Sequence, residues 1–244
     1  MNNSQSKTVI VLGMHRSGTS MVAGILNKLD INMGKKMIGK SASNPLGHFE
    51  DKDFFDLNNR ILETSGGSWD FPPEEEDIIA QKDKFKKEIR DLVTVKSEGR
   101  SKYWGWKDPR TSLTIKLYLP YLSNPYFIVC HRETMDVAES LQRRNDMEIQ
   151  KGIKLREIYK ERICKFFTEF PKLRKIDLYY KDVMQDPKEC VRKIVNFLNI
   201  QVNKEEHQKA INFILPKGKI HKLEKKVRIL NWLYLIIAGF KKPW

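Results

Sequence analysis

The chain has 244 residues, 40% of them hydrophobic, with 45 basic against 31 acidic side chains and a formal net charge of +14. The apolar content argues against disorder, the length suits one α/β domain, and three cysteines without paired or metal-ligand spacing, Cys130, Cys164 and Cys190, suit a reduced, cytoplasmic chain. The basic excess selects anionic partners such as nucleotides, acidic glycans or an anionic membrane surface, while the lack of an arginine run interleaved with aromatics argues against nucleic acid.

Residues 1–7 are polar and read as a flexible N-terminus without the apolar core of a secretory signal. A strand at about Thr8–Leu12 leads through a short loop into a helix carrying Met21, Ile25, Leu26 and Leu29. A polar stretch extends through Gly47, and Asp51 to about Thr64 reads as a helix with Phe54, Phe55, Leu57 and Ile61 on its apolar side. Gly66, Gly67, Pro72, Pro73 and the acidic run Glu74–Asp77 predict a loop, and Lys82 to Val95 an amphipathic helix. Tyr103-Trp104-Gly105-Trp106 begins a short strand ending at Lys107-Asp108-Pro109-Arg110.

Tyr126–Cys130 is a continuous apolar run, as in a strand buried on both faces. It ends at His131-Arg132, and a helix follows from about Thr134 to Asn145. A long helix carries Leu155, Ile158, Tyr159, Ile163, Phe166 and Phe167, then come a strand at Ile176–Tyr180 and a helix from Pro187 through Leu198. The alternation predicts a mostly parallel central sheet flanked by helices, with ligands at the carboxyl ends of its strands. One domain at residues 8–224 is expected, followed by a basic and apolar segment at residues 225–244. Within that segment, Ile229 to Phe240 is flanked by lysines and arginine and falls short of the roughly 20 apolar residues of a membrane span. Two readings stay open for it: peripheral contact with the inner membrane face, or packing on the domain or a partner.

The chemistry concentrates in three places. Gly13-Met14-His15-Arg16-Ser17-Gly18-Thr19-Ser20 is a strand-to-helix loop whose backbone N–H groups and helix N-terminus suit a phosphate. It has the spacing of a P-loop, but Thr19 stands where the P-loop lysine follows the second glycine, which disfavours an ATPase. Arg132, at the end of a strand, and Ser140, two helical turns on, can bracket a second phosphate with a forked charged donor and a hydroxyl. His48 and Glu50, two residues apart in Asn44 to Asp51, are candidate proton acceptors, with a helix-entry loop as the plainer alternative. Lys107 reads equally as a helper at the reacting centre or as a salt-bridge partner of Asp108. The late basic cluster Lys217, Lys219, His221 and Lys222 reads as a solvated patch.

Taken together, the two phosphate motifs resemble the sulfotransferases that use 3′-phosphoadenosine-5′-phosphosulfate (PAPS). The likeness extends to Tyr180-Lys181-Asp182-Val183, Asp186-Pro187, Phe197-Leu198 and, as in bacterial members, Trp104 through Arg110. It implies a P-loop NTPase-like three-layer α/β sandwich. It implies PAPS as sulfuryl donor with no metal, its 5′-phosphosulfate held by His15, Arg16, Ser17, Gly18, Thr19 and Ser20 and its 3′-phosphate by Arg132 and Ser140. It further implies an acceptor hydroxyl, of a carbohydrate or glycolipid, with Arg16 and Lys107 neutralising charge and Glu50, then His48, as the base. The alternatives are a nucleotide-dependent kinase on the same sheet and a non-enzymatic membrane- or polyanion-binding module.

Overall fold

The computed structural model describes residues 6–34, 37–39, 47–98 and 102–214. The readings for residues 217–222 and 225–244, and for most of residues 1–7, lie outside them. In chain order the elements are β1 (Lys7–Leu12), α1 (Thr19–Lys28), α2 (Lys52–Thr64), α3 (Glu75–Ala80), α4 (Lys82–Ser97), β2 (Tyr103–Lys107) and α5 (Thr111–Tyr118). They continue with β3 (Pro125–His131), α6 (Thr134–Asn145), α7 (Ile149–Glu169), β4 (Arg174–Tyr179), α8 (Tyr180–Gln185), α9 (Pro187–Leu198) and α10 (Lys204–Phe213).

The four strands form one parallel sheet in the order β2-β1-β3-β4. Their side chains alternate between two cores. Ile10, Leu12, Trp106, Phe127 and Val129 pack against α2 to α7 on one face, and Val9, Val11, Ile128 and Cys130 pack against α1, α9 and α10 on the other. Burial on both faces explains why β1 and β3 are apolar without alternation. Because all strands run the same way, their carboxyl ends bring the loops after Leu12, Lys107, His131 and Tyr179 to one rim. Among the described residues, no helix is long and apolar enough to cross a membrane.

All four expected strands are present, and so are the six expected helices. The loop assigned to the acidic run is in part a helix: α3 begins at Glu75. Glu75, Glu76 and Asp77 occupy its first turn, where negative charge is favourable, Ile78 is buried, and Glu75 pairs with Lys116 and Lys165. After Arg110, where the sequence pattern marks no element, lies α5. Its residues are buried on nearly every side, so no polar stripe marks it as amphipathic. α8 and α10 are likewise additional, although Asn203 and Glu206 form the capping box that opens α10.

A buried polar hub fixes the turn from β2 into α5. The Asn58 amide donates to Asp108 Oδ2 at 2.8 Å and Thr111 Oγ1 at 3.1 Å. Its carbonyl oxygen accepts from Thr114 Oγ1 at 2.7 Å and the Tyr118 hydroxyl at 3.0 Å. Trp106 Nε1 completes the set by donating to Thr111 Oγ1 at 2.9 Å. Asn58, Asp108, Thr111, Thr114 and Tyr118 are all fully buried, so each bond lost leaves a polar group stranded. Asn58→Leu is therefore expected to destabilise the fold by about 3 kcal/mol, read as a lower urea midpoint at unchanged slope.

Candidate active site

The loop after β1 carries two left-handed residues, Arg16 at φ 70° and Gly18 at φ 90°. Gly18 caps α1 without a side-chain bond, and the first turn of α1 holds no acidic residue, which leaves a helix N-terminus suited to an anion. Arg16 has no glycine's freedom, so contacts must hold it. Arg132 Nη1 donates to the Arg16 carbonyl at 2.9 Å, and Arg16 Nε donates to Ser140 Oγ at 2.8 Å. The Ser17 N–H closes the turn on the Met14 carbonyl at 3.2 Å, and the Gly13 N–H donates to Ser112 Oγ at 3.0 Å.

Tyr180 provides a shared floor. The Arg132 guanidinium lies 4.5 Å from its ring centre, and a methyl group on Gly18 would come within 2.9 Å of its Cδ2. The two anion motifs therefore meet in space. Ser17 and Thr19 are buried within the loop. His15 also belongs to the loop, and its buried ring packs on Trp69, 4.4 Å between centres, so the side chain is turned away from solvent.

The second half of the site enters from β2 and from the segment before α2. Lys107, 1% exposed, donates to Glu50 Oε1 at 2.7 Å and to Ser20 Oγ at 3.0 Å. Ser20 Oγ in turn donates to the His48 carbonyl at 3.1 Å. Phe49, between His48 and Glu50, is left-handed at φ 52°, and this turn separates the half-buried imidazole from the buried carboxylate. Asp51 caps α2 through the Asp53 N–H and takes both its oxygens to Lys96 at 2.8 and 2.7 Å, which anchors the segment. The ion pair between Lys107 and Asp108 does not form. Asp108 is engaged by Arg110 Nη1 at 2.8 Å and by Asn58, which frees Lys107 for Glu50.

Residues not singled out from the sequence complete the rim. The Arg110 guanidinium lies 4.2 Å from the centre of the Phe55 ring. Arg144 follows Ser140 by one helical turn on α6, the spacing that places both on one side of the helix. Trp69 reaches the loop from the segment between α2 and α3, its carbonyl accepting from the Tyr159 hydroxyl at 3.0 Å. The spacing of four between Ser140 and Arg144 was the one available signal for Arg144. Trp69 had none, because its partner His15 is distant in sequence.

Burial, and then the charges of Lys107, Arg144, Arg16 and Arg110, lower the His48 imidazole to about 4. His15 is pushed well below the ordinary value by burial first, then by Arg110, Arg144, Lys107 and Arg16. Both rings are neutral at pH 7. The same four cations act on both rings.

A sequence model of the Sulfotransferase family matches residues 8–204. No curated protein matches the chain by sequence. Among solved structures, sulfotransferase STF1 from Mycobacterium tuberculosis H37Rv is similar at 14% identity and a TM-score of 0.52, with 91% of this chain and 75% of that one covered. The sulfotransferase domain of the Synechococcus PCC 7002 olefin synthase is similar at 14% identity and a TM-score of 0.52, covering 92% and 88%. The sulfotransferase domain from the curacin biosynthetic pathway gives 14% and 0.53, covering 84% and 77%. These likenesses establish a shared fold. The family match spans most of the chain, which thus belongs to the sulfotransferase family, the PAPS-dependent class of enzymes its two anion motifs resemble.

Proposed function

We propose that this sulfotransferase draws its sulfuryl group from PAPS and passes it to a hydroxyl of a carbohydrate or glycolipid acceptor. The observation that carries the reading is the bond from Arg132 to the Arg16 carbonyl, which joins the two anion motifs. In this reading the loop from His15 through Ser20 takes the 5′-phosphosulfate, and Arg132 and Ser140 take the 3′-phosphate. The donor supplies the reaction's chemistry: its sulfur–oxygen bond to the phosphate breaks, a bond to the acceptor oxygen forms, and the bisphosphate leaves.

The chain's task is then charge and proton handling. Negative charge grows on the bridging oxygen and is met by Arg16 and Lys107, a reading supported by the bonds that fix them to Ser140 and Ser20. The acceptor's proton goes to Glu50, whose Oε1 is engaged by Lys107, with His48 as the second choice. The His48 ring, lowered to about 4, is neutral at pH 7, and the choice of Glu50 is supported by Lys107, which bonds both to it and to Ser20 in the first turn of α1. The basic surface and the aromatic rings of Trp69 and Phe55 support a sugar-bearing acceptor. Free thiols at Cys130, Cys164 and Cys190 support work in the cytoplasm, and peripheral membrane contact through residues 229–240 belongs to the same reading.

Adenosine 3′,5′-bisphosphate at about 100 times its dissociation constant is expected to add about 2.7 kcal/mol to the native state, seen as a raised melting temperature. Arg132→Ala and Ser140→Ala should lose most of that gain, and ATP with magnesium should not reproduce it. Equal gains in all three proteins would remove the assignment of the 3′-phosphate.

With labelled sulfate donor and a panel of glycans and glycolipids, Glu50→Gln should lower kcat by about 100-fold or more, while His48→Asn costs less than tenfold. The opposite ranking would make His48 the base.

The lowered histidines set a pH dependence of stability. Unfolded histidine takes up its proton near 6.5, while folded His48 resists until about 4 and His15 is also held well below its ordinary value. Stability is thus complete above pH 6.5 and falls as pH drops below it. His48→Asn should flatten the part of the melting-temperature profile between pH 6.5 and 4 that His48 supplies.

A further inference from the structure

The donor accounts for Arg16, Arg132 and Ser140, and Glu50 accounts for Lys107. Two cations on the acceptor side have no such explanation. Arg144 is half-buried near the end of α6, and among the described residues no hydrogen bond or ion pair engages it. Arg110 is 7% exposed, and although one of its terminal nitrogens pairs with Asp108, its buried Nε has no partner among the described residues. Beside them His15, 8% exposed, leaves its buried Nδ1 without a partner as well.

These groups share one neighbourhood. Arg110 and Arg144 are the two largest charges acting on His15, and Glu50 and Arg110 are the two charges acting on Arg144. Arg110 and Arg144 act on one another, and among the described residues Arg144 forms no ion pair, which leaves a positive field beside the candidate base. Trp69 and Phe55 supply flat apolar walls next to His15 and Arg110. A neutral sugar would leave Arg144 unpaired in a partly desolvated place, at a cost that a negatively charged one would remove.

We propose that Arg144, with Arg110 behind it, forms an acceptor-side anion subsite, so that the preferred acceptor carries a carboxylate, sulfate or phosphate close to the hydroxyl that is sulfated. This rests on the reading of the pocket as a PAPS-dependent site for carbohydrate hydroxyls. In this proposal the anion sits within reach of Arg144, one helical turn beyond Ser140, and fixes the orientation of the acceptor toward Glu50, whose charge acts on Arg144. Arg144 is in this sense a specificity-determining residue, and the guanidinium fork suits a planar carboxylate taken by two parallel hydrogen bonds.

The test uses the full chain saturated with adenosine 3′,5′-bisphosphate and a matched pair of probes, 4-nitrophenyl β-glucuronide and 4-nitrophenyl β-glucoside. They differ only in a carboxylate against a hydroxymethyl group. Calorimetry is expected to show the glucuronide binding about tenfold or more tightly, and inorganic sulfate binding far more weakly than the glucuronide. Arg144→Gln should abolish the difference, leave the binding of bisphosphate and of PAPS within about twofold, and keep the melting temperature of the ligand-free protein, since it breaks no ion pair. Arg144→Lys should retain part of the preference.

Equal affinity for the two sugars, including no binding of either, overturns the inference. So does a loss of PAPS affinity in Arg144→Gln, which would assign the residue to the donor, or inorganic sulfate matching the glucuronide, which would show a free-ion site. If the wild type fails to bind bisphosphate, it is the underlying functional reading that falls; if it binds bisphosphate and the sugars do not differ, the subsite alone falls.

Discussion

A cation buried almost completely at the rim of a sheet needs a carboxylate to compensate it. Lys107 and Arg110 sit at the end of β2, 1% and 7% exposed, where an isolated cation would lose several kcal/mol of hydration. Each has its own carboxylate, Glu50 for Lys107 and Asp108 for Arg110. Asp108 is in turn kept in place by Asn58, whose remaining bonds run to α5. Two polar groups, one around Lys107 and one around Arg110, thus hold one ammonium and one guanidinium at the rim of the sheet. Removing one anion would leave its cation uncompensated, which is why these residues form a set and not separate contacts.

The same compensation explains the strained backbone. Arg16 and Phe49 are both left-handed non-glycine residues, one in the loop and one beside the candidate base. Each is over-determined by neighbours: Arg16 by Arg132 and Ser140, and the Phe49 turn by the bond from Ser20 to the His48 carbonyl and the T-shaped packing of Phe49 on Phe213. Strain at these two points orients Arg16 and Glu50 in advance, so that binding need not pay for arranging them.

Strands and long helices were legible because burial on two faces, or on one stripe, writes a period into the sequence. The Val9–Leu12 and Tyr126–Cys130 runs, and the helix from Thr134 to Asn145, show this directly. α5 was not legible, because a helix enclosed by α2, α4 and α7 has no polar face to set against an apolar one. At the site, loop residues and the arginine–serine pair could be read from local spacing. The pairing of Lys107 with Glu50 could not, since it joins residues 57 apart whose meeting depends on how α2 enters the core. Asp108, next to Lys107 in sequence, was the obvious partner, but it lies just past the end of β2, where it is taken by Asn58 and Arg110.

The absent P-loop lysine has a structural counterpart. In a P-loop the ammonium comes from the loop itself and works beside a magnesium ion. Here the position after the second glycine is Thr19, and the ammonium arrives from the neighbouring strand, with Lys107 donating to Ser20 in the first turn of α1. A lysine carried on a loop is free to follow a phosphate during transfer. A lysine buried at a strand end and bonded to Ser20 and Glu50 is fixed in position, and it links the donor loop to the carboxylate through one nitrogen. In the proposed reading, charge growing on the donor and a proton arriving at Glu50 are both felt by the Lys107 ammonium, which would couple the two halves of sulfuryl transfer by electrostatics.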